Sequence, residues 1–580
     1  MVLRRRPLSL GRIVVPFLLL VVASLHPDAL ASAVPINDDV TDSSRDHDGS
    51  DIHKFLIELL TPWLEDEKDE DWKPLLHQID AETLHQTMEN LGNKLFTSSV
   101  SQASDDRLRG RRSLIRDWTP CGSVMNVFTE EQLADMVTDE IAGILTPTVS
   151  GTINFVLRRA LFPRIRHGVK IWKVCGRCSD FGPLKGKGIS CREEDYGYEA
   201  LQSGILIAPM QENKDNGSLS ILPQTRPINV QIPAGVIVPS LEDLKQIQVM
   251  VGVFSTAMSG FFTIMPDKFG YAESNDYFRS LLIRQPVVTS IVPLIWKAEQ
   301  MVAQESNCTA ATADAFSLTG YSEAGNDVVS LGEALHRMYE DSGIITDSGS
   351  SVISVNSGGG PMRLSSVVIS DYVRDQNDGN GGDSNDPIRF ALWRLAGSLS
   401  TTVENVANFN QSQDMLVDAA ERGRFVRGDR TFHLDYRNVF EQGINAETKN
   451  HLLNADLVQA VEEAIARGEK EPCVTNVNSK IDKLCKALQD QDVAHVVEQA
   501  PYPVAICHSN QDKHVSIDNM PDSSLNPNIE LYPAFGGHGV AMGPCIAHIL
   551  FRMFTWGSRL WSYDYGRDKT IAGGCDAGTP

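Results

Sequence analysis

Phe316-Ser317-Leu318-Thr319-Gly320-Tyr321-Ser322-Glu323-Ala324-Gly325 is the stretch on which the reading of this chain turns. An apolar run of strand length enters a G-x-S-x-G turn. Asn326 to Tyr339 follows at once, with Val328, Val329, Leu331, Leu335 and Met338 at helical spacing. Strand, tight turn and helix in that order form the setting that holds a serine on a sharp elbow above a sheet. Small residues must flank such a turn, and here they are Gly320, Ala324 and Gly325. The Ser322 hydroxyl is expected to stand clear of the sheet, with the backbone N–H of Glu323 aimed at a developing oxyanion. The pentapeptide alone is common, so the weight rests on the strand before it and the helix after it.

Working outward, residues 113 to about 370 alternate between strand and helix patterns, which predicts a mostly parallel sheet. Leu201 to Pro209, Pro227 to Ile232, Phe261 to Pro266 and Ser350 to Val355 are the expected strands. Leu241 to Ser259 and Leu281 to Gln304 are the expected helices. Asp267-Lys268-Phe269-Gly270-Tyr271 makes a polar turn at the end of one strand. Ser357-Gly358-Gly359-Gly360-Pro361 ends another, either as a close backbone approach to a ligand or as a plain tight turn. A low-complexity polar linker occupies 374–386. From 387 to 498 the strand pattern gives way to helix, clearest over Asp456 to Gly468, and this stretch reads as a helical insertion over the catalytic face.

The sheet pattern resumes at Tyr502 to His508 and runs into a polar loop, Ser509 to Val515. A carboxylate at the tip of a late strand is where an elbow serine needs its acid, and Asp512 stands there; Asp518, further along, is the rival. Phe535-Gly536-Gly537-His538-Gly539 then places a histidine on a glycine-rich loop, free to project into a cleft. His508 and His514 precede or adjoin the acid, and His548 falls on a helical face. Ser322, Asp512, His538 is the chain order of elbow-type hydrolases. The interval from Ser322 to Asp512 exceeds two strand–helix units by about 100 residues. The helical insertion accounts for that excess.

The 580 residues carry a formal charge of -23 and 42% hydrophobic side chains. That charge argues against nucleic acid and anionic membrane surfaces as partners. Residues 1–33 have the form of a secretory signal peptide. Arg4 to Arg6 precede the apolar run Ile13 to Leu25, and small-residue cleavage sites lie at Ala29-Leu30-Ala31 or Ala31-Ser32-Ala33. The apolar run is too short for the ~20 residues of a membrane span, and no stable membrane insertion is expected. Residues 34–112 are acidic and end in Arg109-Gly110-Arg111-Arg112, as either a removable pro-segment or an exposed, solvated arm. Residues 113–194 form an N-terminal extension. The ten cysteines suit an oxidising compartment. Cys175, Cys178 and Cys191 lack a fourth ligand at zinc spacing, which favours disulfides. Asn216, Asn307 and Asn410 head glycosylation sequons.

With these pieces located, the chain resembles the α/β-hydrolase superfamily, and within it the secreted lipases and esterases with a helical lid before the acid strand. The likeness is carried by Gly320 to Gly325, Phe262 to Tyr271, Pro503 to Val515 and Gly536 to Gly539, and spans about residues 195–560. It implies an α/β fold with a mostly parallel central sheet flanked by helices. The core would run from 195 to 373 and from 499 to 580, with the cap over 387–498. It also implies a Ser322 nucleophile, His538 as general base and then acid, and Asp512 orienting His538, with no cofactor or metal. The expected partner is a small-molecule or lipid ester. The second oxyanion donor, usually a His-Gly pair after the third strand, has no counterpart; Gln231-Ile232-Pro233-Ala234-Gly235-Val236 stands there, offering the Ala234 or Gly235 amide. A serine peptidase of the same fold, and a non-catalytic binding protein on it, are the competing functions.

Overall fold

The computed structural model describes residues 119–135, 165–181, 193, 197–212, 219–221, 228–233, 247–270, 272–274, 277, 282–305, 316–341, 352–368, 482–510, 512 and 515–534, with positions 459, 463, 466–467, 473, 538, 541, 542 and 545. Their strands are β1 (Val124–Phe128), β2 (Gly168–Gly176), β3 (Gln202–Glu212), β4 (Leu219–Ile221), β5 (Ile228–Ile232), β6 (Phe262–Pro266), β7 (Phe316–Tyr321), β8 (Val352–Gly358), β9 (Val504–Ser509) and β10 (Ile529–Ala534). Among the described residues they form one sheet in the order β1-β2-β3-β6-β5-β7-β8-β9-β10, with β4 paired to β3. From β6 to β10 every pairing is parallel. On the other side β1, β2, β3 and β6 pair antiparallel. The expected mostly parallel sheet is present, with an antiparallel wing.

Between the exposed edge strands β1 and β10, the inner strands are mostly buried on both faces, so their side chains alternate between two cores. On β2, Trp172 and Val174 face one core while Val169 and Ile171 face the other. On β3, Leu206 and Ala208 alternate in the same way with Ile205 and Ile207. Helix α1 (Ile247–Ser259) covers the second core with Val249, Val253 and Ala257, spaced by four. Helices α2 (Arg284–Glu305) and α3 (Glu323–Asp341) cover the first, α3 through Val328, Val329, Leu331 and Leu335, with Met338 packed at its edge. These are the residues the helical spacing picks out after Ser322. Each such fully buried side chain is worth about 1.5–3 kcal/mol relative to exposure.

Two features depart from the sequence reading. Residues 124–176, inside the segment set apart as an extension, supply β1 and β2. Every residue of β2 from Gly168 to Gly176 pairs with β3, and Cys121 is bonded to Cys175. The sheet therefore starts about 70 residues before position 195. At the other end, of the 387–498 segment the helices α4 (Asp482–Gln489) and α5 (Ala494–Glu498) are described, and Val493, Val496 and Val497 belong to the core shared with α3. Helix α5 packs against α3, and α4 against the turn at Leu364–Val368. The linker 374–386 and most of the expected cap lie outside the described residues, as do the expected signal peptide and the acidic segment.

Candidate active site

A single residue separates the end of β7 from the start of α3, and it is Ser322, which makes the reversal at φ 61°. A non-glycine residue in the left-handed region costs of order 1–3 kcal/mol and persists only where its surroundings over-determine it. Here they do. The Ser322 N–H donates to the Gly358 carbonyl at 2.7 Å, and the Ser322 carbonyl accepts from Gly325 N–H at 2.8 Å. A Cβ on Gly320 would meet the Ala324 carbonyl oxygen at 2.1 Å, and one on Gly325 would meet the Gly358 oxygen at 2.8 Å. The small residues of the motif are thus required by the backbone packing of the turn.

Three side chains from three separate segments meet at this elbow. The Ser322 Oγ lies 2.7 Å from His538 Nε2, and His538 Nδ1 lies 2.6 Å from Asp512 Oδ2. Ser322 and His538 are partly exposed, whereas Asp512 is buried. Asp512 follows β9 and uses its two oxygens separately: Oδ1 accepts from Val515 N–H at 2.9 Å and closes the loop, and Oδ2 takes the histidine. Burial by itself opposes its charge, but the hydrogen bond and charge of His538 and the Val515 amide outweigh it and hold its pKa below the ordinary carboxylate value. Asp518 is exposed on a short 3₁₀ turn, Ile517–Asn519, away from the histidine. A hydroxyl, imidazole and buried carboxylate in this relation can move a proton from serine to histidine while the carboxylate fixes the tautomer.

Glu323 opens α3, whose first turn directs its N–H groups outward along the helix axis. Strand β5 runs beside β7 with Ile232 opposite Gly320, so the segment beginning at Pro233 leaves the sheet next to the elbow. Ala234 and Gly235 themselves lie outside the described residues, as do His514 and His548.

Three residues that the sequence reading gave no role support this arrangement. Tyr321 is buried, its ring is 5.3 Å from the His538 imidazole, and its hydroxyl donates to the His538 carbonyl. Burial, reinforced by the charge of Asp512, drives its pKa well up, so it stays a donor. His508 on β9 bonds the Val515 carbonyl through Nε2 at 2.8 Å and so braces the Asp512 loop from below. Lys268 reaches the Glu323 carboxylate at 2.8 Å. Tyr321 adjoins the serine in sequence; nothing in the local pattern marks the other two. Gly358, the last residue of β8, and the two glycines after it turn the chain, with Gly359 at φ 54°, and also leave room for the elbow. A Cβ at Gly358 would meet the Tyr321 ring at 2.5 Å, and one at Gly360 the Gly325 carbonyl carbon at 2.9 Å. They admit the elbow itself.

Disulfides join Cys121 to Cys175, Cys473 to Cys485 and Cys507 to Cys545, and Cys178 is also disulfide-bonded. Among the described residues no helix is long and apolar enough to cross a membrane.

No family model matches the chain, and no curated protein matches it. Solved structures do. A candidate hydrolase of Legionella pneumophila aligns over 74% of this chain and 96% of its own, at 12% identity and TM-score 0.48. The rice cell wall degrading esterase LipA of Xanthomonas oryzae, in a ligand-bound form, aligns over 76% and 97%, at 12% identity and TM-score 0.46. Candida antarctica lipase A in its closed state aligns over 64% and 73%, at 13% identity and TM-score 0.36. The architecture itself rests on the chain's own geometry: a mostly parallel sheet with helices on both faces, a strand–serine–helix elbow at its centre, and later strands leading to an acid and a histidine give this protein an α/β-hydrolase fold.

Proposed function

We propose that this protein is a secreted serine hydrolase that cleaves carboxylic esters. The observation that carries the proposal is the hydrogen-bonded series from Ser322 Oγ through His538 to buried Asp512, built on a serine held at positive φ. In this reading Ser322 attacks the ester carbonyl as His538 takes its proton. The tetrahedral oxyanion is met by the Glu323 amide and by a donor from the 233–235 segment. Collapse expels the alcohol, which takes the proton from His538, and leaves an acyl-enzyme. Water, activated by the same imidazole, then releases the acid. Asp512 keeps the Nδ1 proton on His538 and stabilises the imidazolium without being protonated itself. No cofactor or metal enters these steps.

Of the expected cap, residues 387–481, which precede the packed helices α4 and α5, are our candidate for a lid, and a lid favours apolar acyl groups because it can exclude water from the pocket when closed. Secretion is supported by the basic-then-apolar residues 1–33 and by the disulfides, which suit an oxidising compartment.

The test is fluorophosphonate labelling of the secreted protein, mapped by mass spectrometry, beside turnover of p-nitrophenyl esters from short to long chains. Label on Ser322 together with ester turnover is the expected result. Label without ester turnover would redirect the assignment to a peptidase of this fold. A folded, disulfide-bonded protein that takes no label would leave only a binding role.

A further inference from the structure

The turn after β6 carries a lysine that packing removes from water. Lys268 is only 7% exposed, and its ammonium lies 2.8 Å from Oε2 of Glu323 and 3.8 Å from Oδ2 of Asp327. Both carboxylates are buried as well. They stand at i and i+4 at the start of α3, where the helix dipole favours negative charge but the two acids repel each other. Glu323 directly follows Ser322. A buried carboxylate therefore sits one residue from the hydroxyl at which negative charge has to develop, and without compensation its field would oppose an oxyanion held by its own backbone N–H.

The lysine is held in place from the antiparallel wing of the sheet. Asp267, its neighbour, donates its N–H to the Ser203 carbonyl at 2.8 Å and accepts from Ser203 Oγ at 2.6 Å. Further along the same turn Glu273 pairs at 2.6 Å with Lys173, a β2 residue that is 2% exposed. A largely buried polar series, with Glu273 half-buried, thus runs from β2 and β3, through the turn after β6, to the first residue of α3.

We infer that Lys268 is a positioning residue for the elbow: by pairing with Glu323 it cancels the negative charge beside Ser322 and fixes the first turn of α3. The inference rests on the hydrolase reading above. It explains how a glutamate can occupy the position after the nucleophile. It also assigns a purpose to β2 and β3, which contribute nothing to the Ser322–His538–Asp512 series.

The experiment compares fluorophosphonate labelling rates, as a function of pH, for the parent chain, Lys268→Arg, Lys268→Met and Lys268→Met/Glu323→Gln. Lys268→Met is expected to label roughly ten- to a hundredfold more slowly, the scale on which loss of an oxyanion contact is felt. Its pH–rate profile should gain a new acid-side inflection as Glu323 and Asp327, with the ammonium charge gone, take up a proton. Removing the glutamate charge as well should recover at least about fivefold of that loss, and Lys268→Arg should retain most of the rate. Lys268→Gln, which can hydrogen-bond Glu323 without charge, keeps the comparison readable if the methionine variant is not secreted. A parent that labels at Ser322 beside an uncharged variant of the same rate and pH profile overturns the inference alone. So does a double variant as slow as Lys268→Met, because a purely structural lysine would give that result. A parent that takes no label overturns the hydrolase reading and this inference with it.

Discussion

Ser322 is held at φ 61°, and the sequence places there a residue for which that conformation is costly. Glycine adopts the left-handed region without a Cβ penalty, so the usual ranking of substitutions should invert at this position. We predict that Ser322→Gly is more stable than Ser322→Ala by about 1 kcal/mol, read as a higher thermal midpoint, with both variants unlabelled by fluorophosphonate. His508 makes a second prediction at this scale. Burial, the largest influence on it, lowers its pKa from the ordinary 6.5 despite the favourable bond to Val515 and the nearby Asp512. The folded state then binds fewer protons than the unfolded state once the pH drops below about 6.5, so stability is intact above that value and declines as pH falls through the lowered one. Thermal melts between pH 7 and 5 should show this decline, and His508→Gln should flatten it. An unchanged slope would mean that another group sets the acid limit.

The elbow, as an element, depends on how closely its backbone segments approach. The space that a Cβ on Gly320 would need is filled by the Ala324 carbonyl, and the Tyr321 ring fills that beside Gly358. Relieving either contact requires the start of α3 or the end of β8 to move, and overpacking of this kind costs typically 1–3 kcal/mol. Gly320→Ala is expected to lower the unfolding free energy by at least that range and to abolish labelling. Gly358→Ala should instead displace Tyr321 and, through its bond to the His538 carbonyl, slow labelling more than it lowers the melting midpoint. Circular dichroism melts and label rates on the same preparations separate these two outcomes.

At the scale of the whole molecule, the disulfide Cys507–Cys545 closes a loop of 38 residues that contains both Asp512 and His538. One end lies near the end of β9 and the other follows the histidine, so the cross-link ties down both ends of the segment that carries the acid and the base. The loop-entropy account gives about 2–4 kcal/mol for such a closure. A Cys507→Ser/Cys545→Ser variant is therefore expected to melt earlier and to label more slowly than its stability loss alone explains. A variant that melts earlier yet labels at the parent rate would confine the bridge to a structural role.

The residues from Phe316 to Gly325 determined the elbow by themselves, because a tight strand–helix reversal has strict local requirements: an apolar strand, small flanking residues and an amphipathic run after the serine. Asp512 and His538 were legible for a similar reason, each lying on a polar or glycine-rich loop just past an apolar run. The glycines after β8 were legible as a tight turn, but what filled their space was not, since the answer is a ring 37 residues earlier in the chain. Residues 124–176 fell within the alternating strand–helix pattern, but nothing in it showed that they pair with β3, and the core was expected to begin at 195. Their place is fixed by backbone hydrogen bonds to β3 and by Cys121–Cys175, and pairing partners in a sheet leave no periodic mark on either strand. Lys268, Glu323 and Asp327 show the same limit most clearly. Each is an ordinary charged residue in sequence, and only the packing of the turn after β6 against α3 removes them from water and makes them a buried ion cluster beside the serine.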